Sequence, residues 1–455
     1  MTDSPVPATP RRQLSIWHAA AVCVGMVIGS GIFRTTPLAA ENAGTPGLLL
    51  VAWLLGGLVS VMGALCFAEM AAAFPDAGGD YFFLRKAFGE RVGFLFAWSR
   101  FAVVHTGSMA LLAFVFGDYL SEIAPIGSFG SPVYASLIIV VLIGLNLAGI
   151  RFGLHAQVLL LSLTMSGLFA VGVAGVWIAG HGIPPLDATT TSPPAHAVHF
   201  GTTLVFVFLA YGGWSDAATL SAEMKDERRG ITLALLLGMT IVTVLYLFAN
   251  WAFLRGLGFH GLAASQAPAA DLMLRAFGPT GQVAIVAAVS ITSVTVINAL
   301  LIAGARTTYA AARDTPGLAR FSTWHAVRGT PPAAIIGVGL VALTLVGLGT
   351  YTRRGFSTMV DYMTPVYWGF LTLSGLALIR LRQRYPDVRR PFRAPLYPFL
   401  PLAFVASSLY VLYSSLVYVR LGAMLAVVVL VIGGLLMLVL ERRYGGTHPR
   451  AGDGG

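Results

Sequence analysis

Charge is what this sequence has least of. Only 11% of its 455 residues are charged, while 56% are hydrophobic and the mean hydropathy is +0.79. A soluble domain carries about 25% charged residues, so a soluble enzyme is excluded. Cysteine is almost missing as well: Cys23 and Cys66 lie inside apolar segments and read as small buried hydrophobes, with no disulfide framework. No apolar segment holds a His-x-x-x-His pair or a close Asp dyad, which removes the residues an intramembrane enzyme needs. The glycines of the first segment lack the third glycine and the preceding strand of a dinucleotide loop. The sequence therefore implies no cofactor and no metal.

What it has is apolar runs. Segments long enough to cross about 30 Å of hydrocarbon recur along nearly the whole chain. Twelve spans are predicted, at 16–40, 46–73, 92–119, 132–150, 155–180, 199–222, 230–254, 280–305, 332–349, 358–380, 397–418 and 421–440. The first follows Arg11 and Arg12, as a signal peptide would, but it is too long and ends in no small-residue cleavage pattern, so it is expected to remain as a span. The net charge of +10 needs no nucleic acid to explain it. With both termini cytoplasmic, 22 of the 29 Lys and Arg fall on the inner side; five fall outside, and Arg34 and Arg100 lie within or beside spans. That bias predicts a multi-pass protein of the inner or plasma membrane with both termini inside.

Two of the spans are interrupted. Gly29-Ser30-Gly31-Ile32-Phe33 places two glycines and a serine in the middle of the first, each Gly costing a helix about 1 kcal/mol against Ala. Ala210-Tyr211-Gly212-Gly213-Trp214 does the same in the sixth. Non-helical backbone inside a bilayer is tolerated only where protein or a wet cavity covers it, so each break marks a candidate binding site. The two lie five spans apart. The first span runs outward and the sixth inward, and this odd offset is what an inverted-repeat transporter shows at corresponding positions of its halves.

Five motifs carry a family resemblance. The first is Gly-Ser-Gly-Ile-Phe at 29–33. Ala68-Glu69-Met70 with Phe74-Pro75-Asp76-Ala77-Gly78-Gly79-Asp80-Tyr81 resembles the first inner loop of the amino acid-polyamine-organocation (APC) superfamily of transporters. Ser221 to Arg229, the Tyr309 to Asp314 stretch with Thr330-Pro331-Pro332, and Arg390 to Pro401 are similar to its later inner loops. The resemblance implies an all-α polytopic membrane protein: about twelve helices, a 5+5 inverted repeat with helices one and six discontinuous, and two C-terminal helices. On that plan 1–14 is a tail, 15–181 the first repeat, 198–381 the second, 395–441 helices eleven and twelve, and 442–455 a second tail. It also implies alternating access, with spans one, two, six and seven rocking against three, four, eight and nine.

Interrupted helices offer two kinds of free end at the midplane. The N–H groups of Ser30 and Gly31, at a positive dipole end, suit a carboxylate; the carbonyl of Val27 and those of Leu209, Ala210 and Gly212 suit an ammonium. An α-amino acid fits both. The candidate substrate-binding residues are Val27, Ile28, Gly29, Ser30, Gly31, Thr106, Leu209, Ala210, Tyr211, Gly212, Trp214 and Asn298. Tyr211 and Trp214 either shape or gate the pocket, or are aromatic core. Thr106 lies in a third span unusually rich in polar groups, among Arg100, His105 and Ser108.

Three departures from the relatives stand out. Leu209 replaces an aromatic, Glu227 and Thr232 replace prolines, and Thr164 stands where many relatives carry a lysine, seven positions after Gln157. A hydroxyl cannot carry the proton an amine carries. Coupling candidates are therefore Thr164, His105, Asp216, Ser290, Thr292 and Ser293, with Glu69 a further proton carrier, and exchange or proton symport ranks above sodium. The expected partners are an amino acid, the lipid bilayer, and a coupling proton or counter-substrate. A non-transporting sensor of the same fold and a carrier of polyamines or other amines remain the alternatives.

Overall fold

The computed structural model describes residues 16–74, 79–149, 154–186, 198–215, 230–314, 317–325, 330–352, 354–419 and 421–444. They form helices, with one isolated bridge between His325 and Thr330 as the only β-pairing among them. In chain order these are α1 (Ile16–Val27), α2 (Ile32–Ala43), α3 (Pro46–Ala73), α4 (Asp80–Phe88), α5 (Glu90–Ile123), α6 (Gly130–Leu147), α7 (Leu154–Gly180), α8 (Phe200–Ala210), α9 (Gly230–Ala264), α10 (Pro268–Asp314), α11 (Pro332–Thr352), α12 (Gly355–Arg384), α13 (Phe399–Val419) and α14 (Leu421–Tyr444).

Among the described residues, nine helices are long and apolar enough to cross a membrane, and α1 with α2, bent by 57°, makes a tenth. The two remaining expected spans are represented by shorter apolar helices, Phe200–Ala210 and Met424–Leu440. The first of these is short because it stops at the second glycine break. The all-helical, many-span architecture read from the sequence is thus what the chain adopts. Its exterior suits a bilayer: Leu54, Leu58, Val244 and Leu435 are all more than half exposed, and the opposite faces of their helices are packed. Water would penalise that surface; lipid tails do not.

Local chemistry sets the elements. Thr45 caps α3, its hydroxyl accepting from the Leu48 N–H at 3.2 Å, and Pro46 fills the first helical position. Pro37 inside α2 leaves the Phe33 carbonyl without its helical donor. The Tyr119 hydroxyl supplies one from α5 at 3.3 Å. Within α5, residues Arg100–Val104 widen into a π-turn, and the Tyr362 hydroxyl of α12 donates to the Ala102 carbonyl there at 2.8 Å. Glycines let helices approach: a Cβ on Gly57 would lie 2.3 Å from the Thr243 hydroxyl, and one on Gly175 would lie 2.4 Å from the Ala252 Cβ. Both cysteines are buried, Cys23 against Gly238.

Candidate functional site

The helix of the first break ends at Val27. Ile28 N–H still reaches the Val24 carbonyl at 2.8 Å, and Gly29 N–H folds back to Val27 O at 3.0 Å. Helix resumes at Ile32, with Phe33 N–H bonded to Ser30 O and Arg34 N–H to Gly31 O. Between those ends, no backbone carbonyl among the described residues accepts from the N–H of Ser30 or Gly31. A Cβ built on Gly31 would meet no atom within 4 Å. The first break therefore presents two backbone donors beside open space at the start of α2.

The second break follows α8, which ends at Ala210. Tyr211 N–H bonds Val207 O at 3.2 Å and Gly212 N–H bonds Leu209 O at 3.1 Å, so the Leu209 carbonyl, expected to be free, closes a turn. Gly213 then turns the chain with φ of +100°, a conformation that favours glycine. A Cβ there would lie 2.2 Å from the carbonyl oxygen of Met26. The two breaks touch. On the α2 side they are joined again, His199 N–H bonding Asn42 O at 3.1 Å and the Thr203 hydroxyl reaching Ala39 O at 3.4 Å.

A residue that no sequence motif marks sits between them. The Tyr246 hydroxyl of α9 lies 3.2 Å from the Val27 carbonyl and 3.1 Å from that of Ala210, the last residues of the two helices. One phenolic proton faces two carbonyl oxygens, so acceptor capacity is left over. Tyr246 is fully buried in an aromatic cluster with Trp53 and Tyr211, at ring-centroid separations of 5.3 Å and 5.0 Å. Its sequence surroundings carry no glycine break and no charge, and only its place opposite both helix ends reveals it. The Tyr211 hydroxyl donates to the Trp53 carbonyl at 2.8 Å, which makes Tyr211 part of the wedge behind the breaks. Trp214 packs edge-on to Phe67 and Phe404 and lines a cleft with Ser60, Tyr367 and Ser408. Leu209 is half-buried.

Hydroxyls extend the site sideways. Ser30 is fully buried and its hydroxyl lies 2.7 Å from that of Ser293 on α10, which also bonds the Val289 carbonyl at 2.9 Å. Next along α10, Thr292 meets Thr164 of α7 at 2.8 Å, hydroxyl to hydroxyl. Of the coupling candidates, Ser293 thus joins the first break directly, and Thr164 is joined to the next residue of α10, Thr292. The others are not joined to them by a hydrogen bond among the described residues. Ser290 Oγ, Thr106 Oγ1 and His105 Nδ1 are buried and lack a hydrogen-bond partner among those residues. Asn298 accepts from the Asn146 side chain of α6 at 2.7 Å, a helix-to-helix bridge. Asp216 lies outside the described residues. Glu69 is held in a bidentate pair with Arg382, at 2.7 Å and 2.6 Å, and accepts from the Ala394 N–H. Among the described residues no three His, Cys, Asp or Glu gather as metal ligands.

A second cleft, lined by Asp80, Ser99, Arg100, Ser215, Tyr367 and Ser374, opens next to the first and shares Tyr367 with it. Both lie on the Trp214 side of the crossing, opposite α2.

The profile of the amino acid permease family matches residues 14–439. The chain is 27% identical over 412 residues to the serine/threonine exchanger SteT of Bacillus subtilis (strain 168), covering 90% of this chain and 92% of that one. It is 27% identical over 409 residues to the Asc-type amino acid transporter 1 of Mus musculus, covering 87% and 75%. With the large neutral amino acids transporter small subunit 2 of Homo sapiens it shares 26% over 406 residues, again 87% and 75%. A match across nearly the whole chain, on a helical membrane architecture with a broken first span, shows that this chain belongs to the amino acid permease family.

Proposed function

We propose that the chain is a carrier of neutral α-amino acids, which it binds as zwitterions where the two breaks cross. The observation that carries this reading is the pairing of opposite ends in one place. The N–H groups of Ser30 and Gly31, which meet no backbone carbonyl among the described residues, lie a few residues from the Val27 carbonyl, and Gly213 packs on Met26. A carboxylate at the donors and an ammonium at the Val27 and Ala210 carbonyls need no buried charged side chain. Tyr246 then serves the empty site, keeping those two carbonyls from being left bare. No acid among the described residues lines the crossing to meet a cationic side chain, which favours neutral substrates, and the names of the serine/threonine exchanger SteT and the large neutral amino acids transporter agree with that class.

The two breaks belong to inverted repeats over 15–181 and 198–381, and rocking of spans one, two, six and seven against three, four, eight and nine exposes the crossing alternately to the two sides of a cell membrane with both termini inside. Exchange of one amino acid for another is the favoured mode. Thr164 holds Thr292 with a hydroxyl, and no proton carrier occupies its place. Purified protein in liposomes preloaded with unlabelled neutral amino acid should take up labelled amino acid, and empty liposomes should take up far less. Absence of saturable flux for every common amino acid would refute carriage; equal uptake with and without preloading would refute exchange.

A further inference from the structure

On the side of the crossing away from the clefts, one charged side chain that the binding chemistry does not use ties several helices together. Arg34 stands one turn beyond Gly31 on α2, and 8% of it is exposed. Its Nε lies 3.3 Å from Asp118 Oδ2 of α5, its Nη1 donates to the Ser265 carbonyl at 3.4 Å, and its Nη2 donates to the Gln266 side chain between α9 and α10. Its guanidinium also lies 5.7 Å from the ring centroid of Phe356 on α12. The partners are themselves held. Ser131 of α6 donates to Asp118 at 2.6 Å, and the Ser265 hydroxyl donates to Asp271 at 2.6 Å.

We propose that Arg34 is the gating residue of this carrier: its bonds to Asp118, Ser265 and Gln266 hold the α2 side closed, and transport requires them to part. A solute reaching Ser30 and Gly31 from that side must separate α2 from α5 and from the α9–α10 connection, which the Arg34 guanidinium joins and the Tyr119 hydroxyl bridges beside it, donating to the Phe33 carbonyl and accepting from the Ala269 N–H. The lock is reversible because each of its partners is a group that water can serve equally well once the side opens. A buried apolar seal would lack that property. On the opposite side lie the clefts beside Trp214 and Tyr367, and a Cβ built on Gly212 would lie 3.5 Å from the Tyr367 hydroxyl that both clefts share. The structure is closed on the α2 side and cleft on the other, as one half of an alternating cycle requires. This inference rests on the crossing being the carrier's site, but not on which solute it takes.

The test is the labelling rate of Gly31→Cys, at a position where a side chain meets open space, in a background with Cys23 and Cys66 replaced. A charged, membrane-impermeant thiol reagent is applied from either side of oriented vesicles. Arg34→Ala and Asp118→Asn should each speed labelling from the α2 side by about ten-fold, with the opposite side unchanged. The exchanged pair Arg34→Asp with Asp118→Arg should restore slow labelling. Unchanged rates in both single variants would overturn the proposal, as would acceleration from both sides, which marks a structural brace. Amino acid binding to the cysteine-free protein, followed by thermal shift, reports separately on the substrate reading.

Discussion

The two breaks use glycine for opposite purposes. At the first, Gly31 faces open space, and the two N–H groups there meet no backbone carbonyl among the described residues. At the second, Gly213 is jammed against the Met26 carbonyl and its neighbours close their own turns. On the proposed reading, the glycine of the first break leaves room for the ligand, while Gly213 of the second holds the first in position. Similar Gly-rich strings in a sequence can hide a division between recognition and scaffolding.

Adding one methyl group to each break separates the two roles most strongly. Gly213→Ala forces a side chain into the φ +100° region and onto Met26 O, with strain alone costing about 1–3 kcal/mol, so folded protein should be largely lost in size-exclusion profiles. Gly31→Ala should fold normally and lose affinity only. If Gly213→Ala is as stable as the parent, the crossing is misdrawn. Next in size is Ser30→Pro, which removes one charge-assisted donor worth about 1.5–3 kcal/mol, a loss of roughly ten-fold or more in amino acid affinity by calorimetry. An unchanged Kd would remove Ser30 from the carboxylate site.

Tyr246→Phe separates the empty state from the filled one. Without its hydroxyl the Val27 and Ala210 carbonyls lose the donor between them, so the melting temperature of the empty protein should fall, by an effect of about 1 kcal/mol, while the stabilisation given by bound amino acid grows. A smaller ligand-induced shift would mean that Tyr246 binds substrate directly. The smallest effect is expected from Thr164→Val, which removes one side of the hydroxyl pair with Thr292 and should lower stability by about 1 kcal/mol with exchange retained. Loss of exchange at normal binding would return Thr164 to a coupling role.

Much of this is legible in the sequence because its signals are local. Apolar run length marks the helices, and Gly29, Gly31, Gly212 and Gly213 mark the interruptions. What is not legible is long-range. Tyr246 is 36 residues from Ala210 and looks like core; Arg34 reads as a stray cation until Asp118 and Gln266 are folded beside it. Asn298 and Glu69, polar at membrane depth, read as candidates for the site or its coupling, yet each is engaged by a partner distant in sequence, Asn146 and Arg382. Residue type announces that a polar group needs a partner, and only the fold says which.

If the crossing recognises both backbone charges of an amino acid, blocking either one abolishes binding. Thermal-shift titration of the purified protein with a neutral amino acid, its N-acetyl derivative and its carboxamide tests it most directly. Stabilisation by the free amino acid alone is the predicted result; equal stabilisation by either blocked derivative would contradict it.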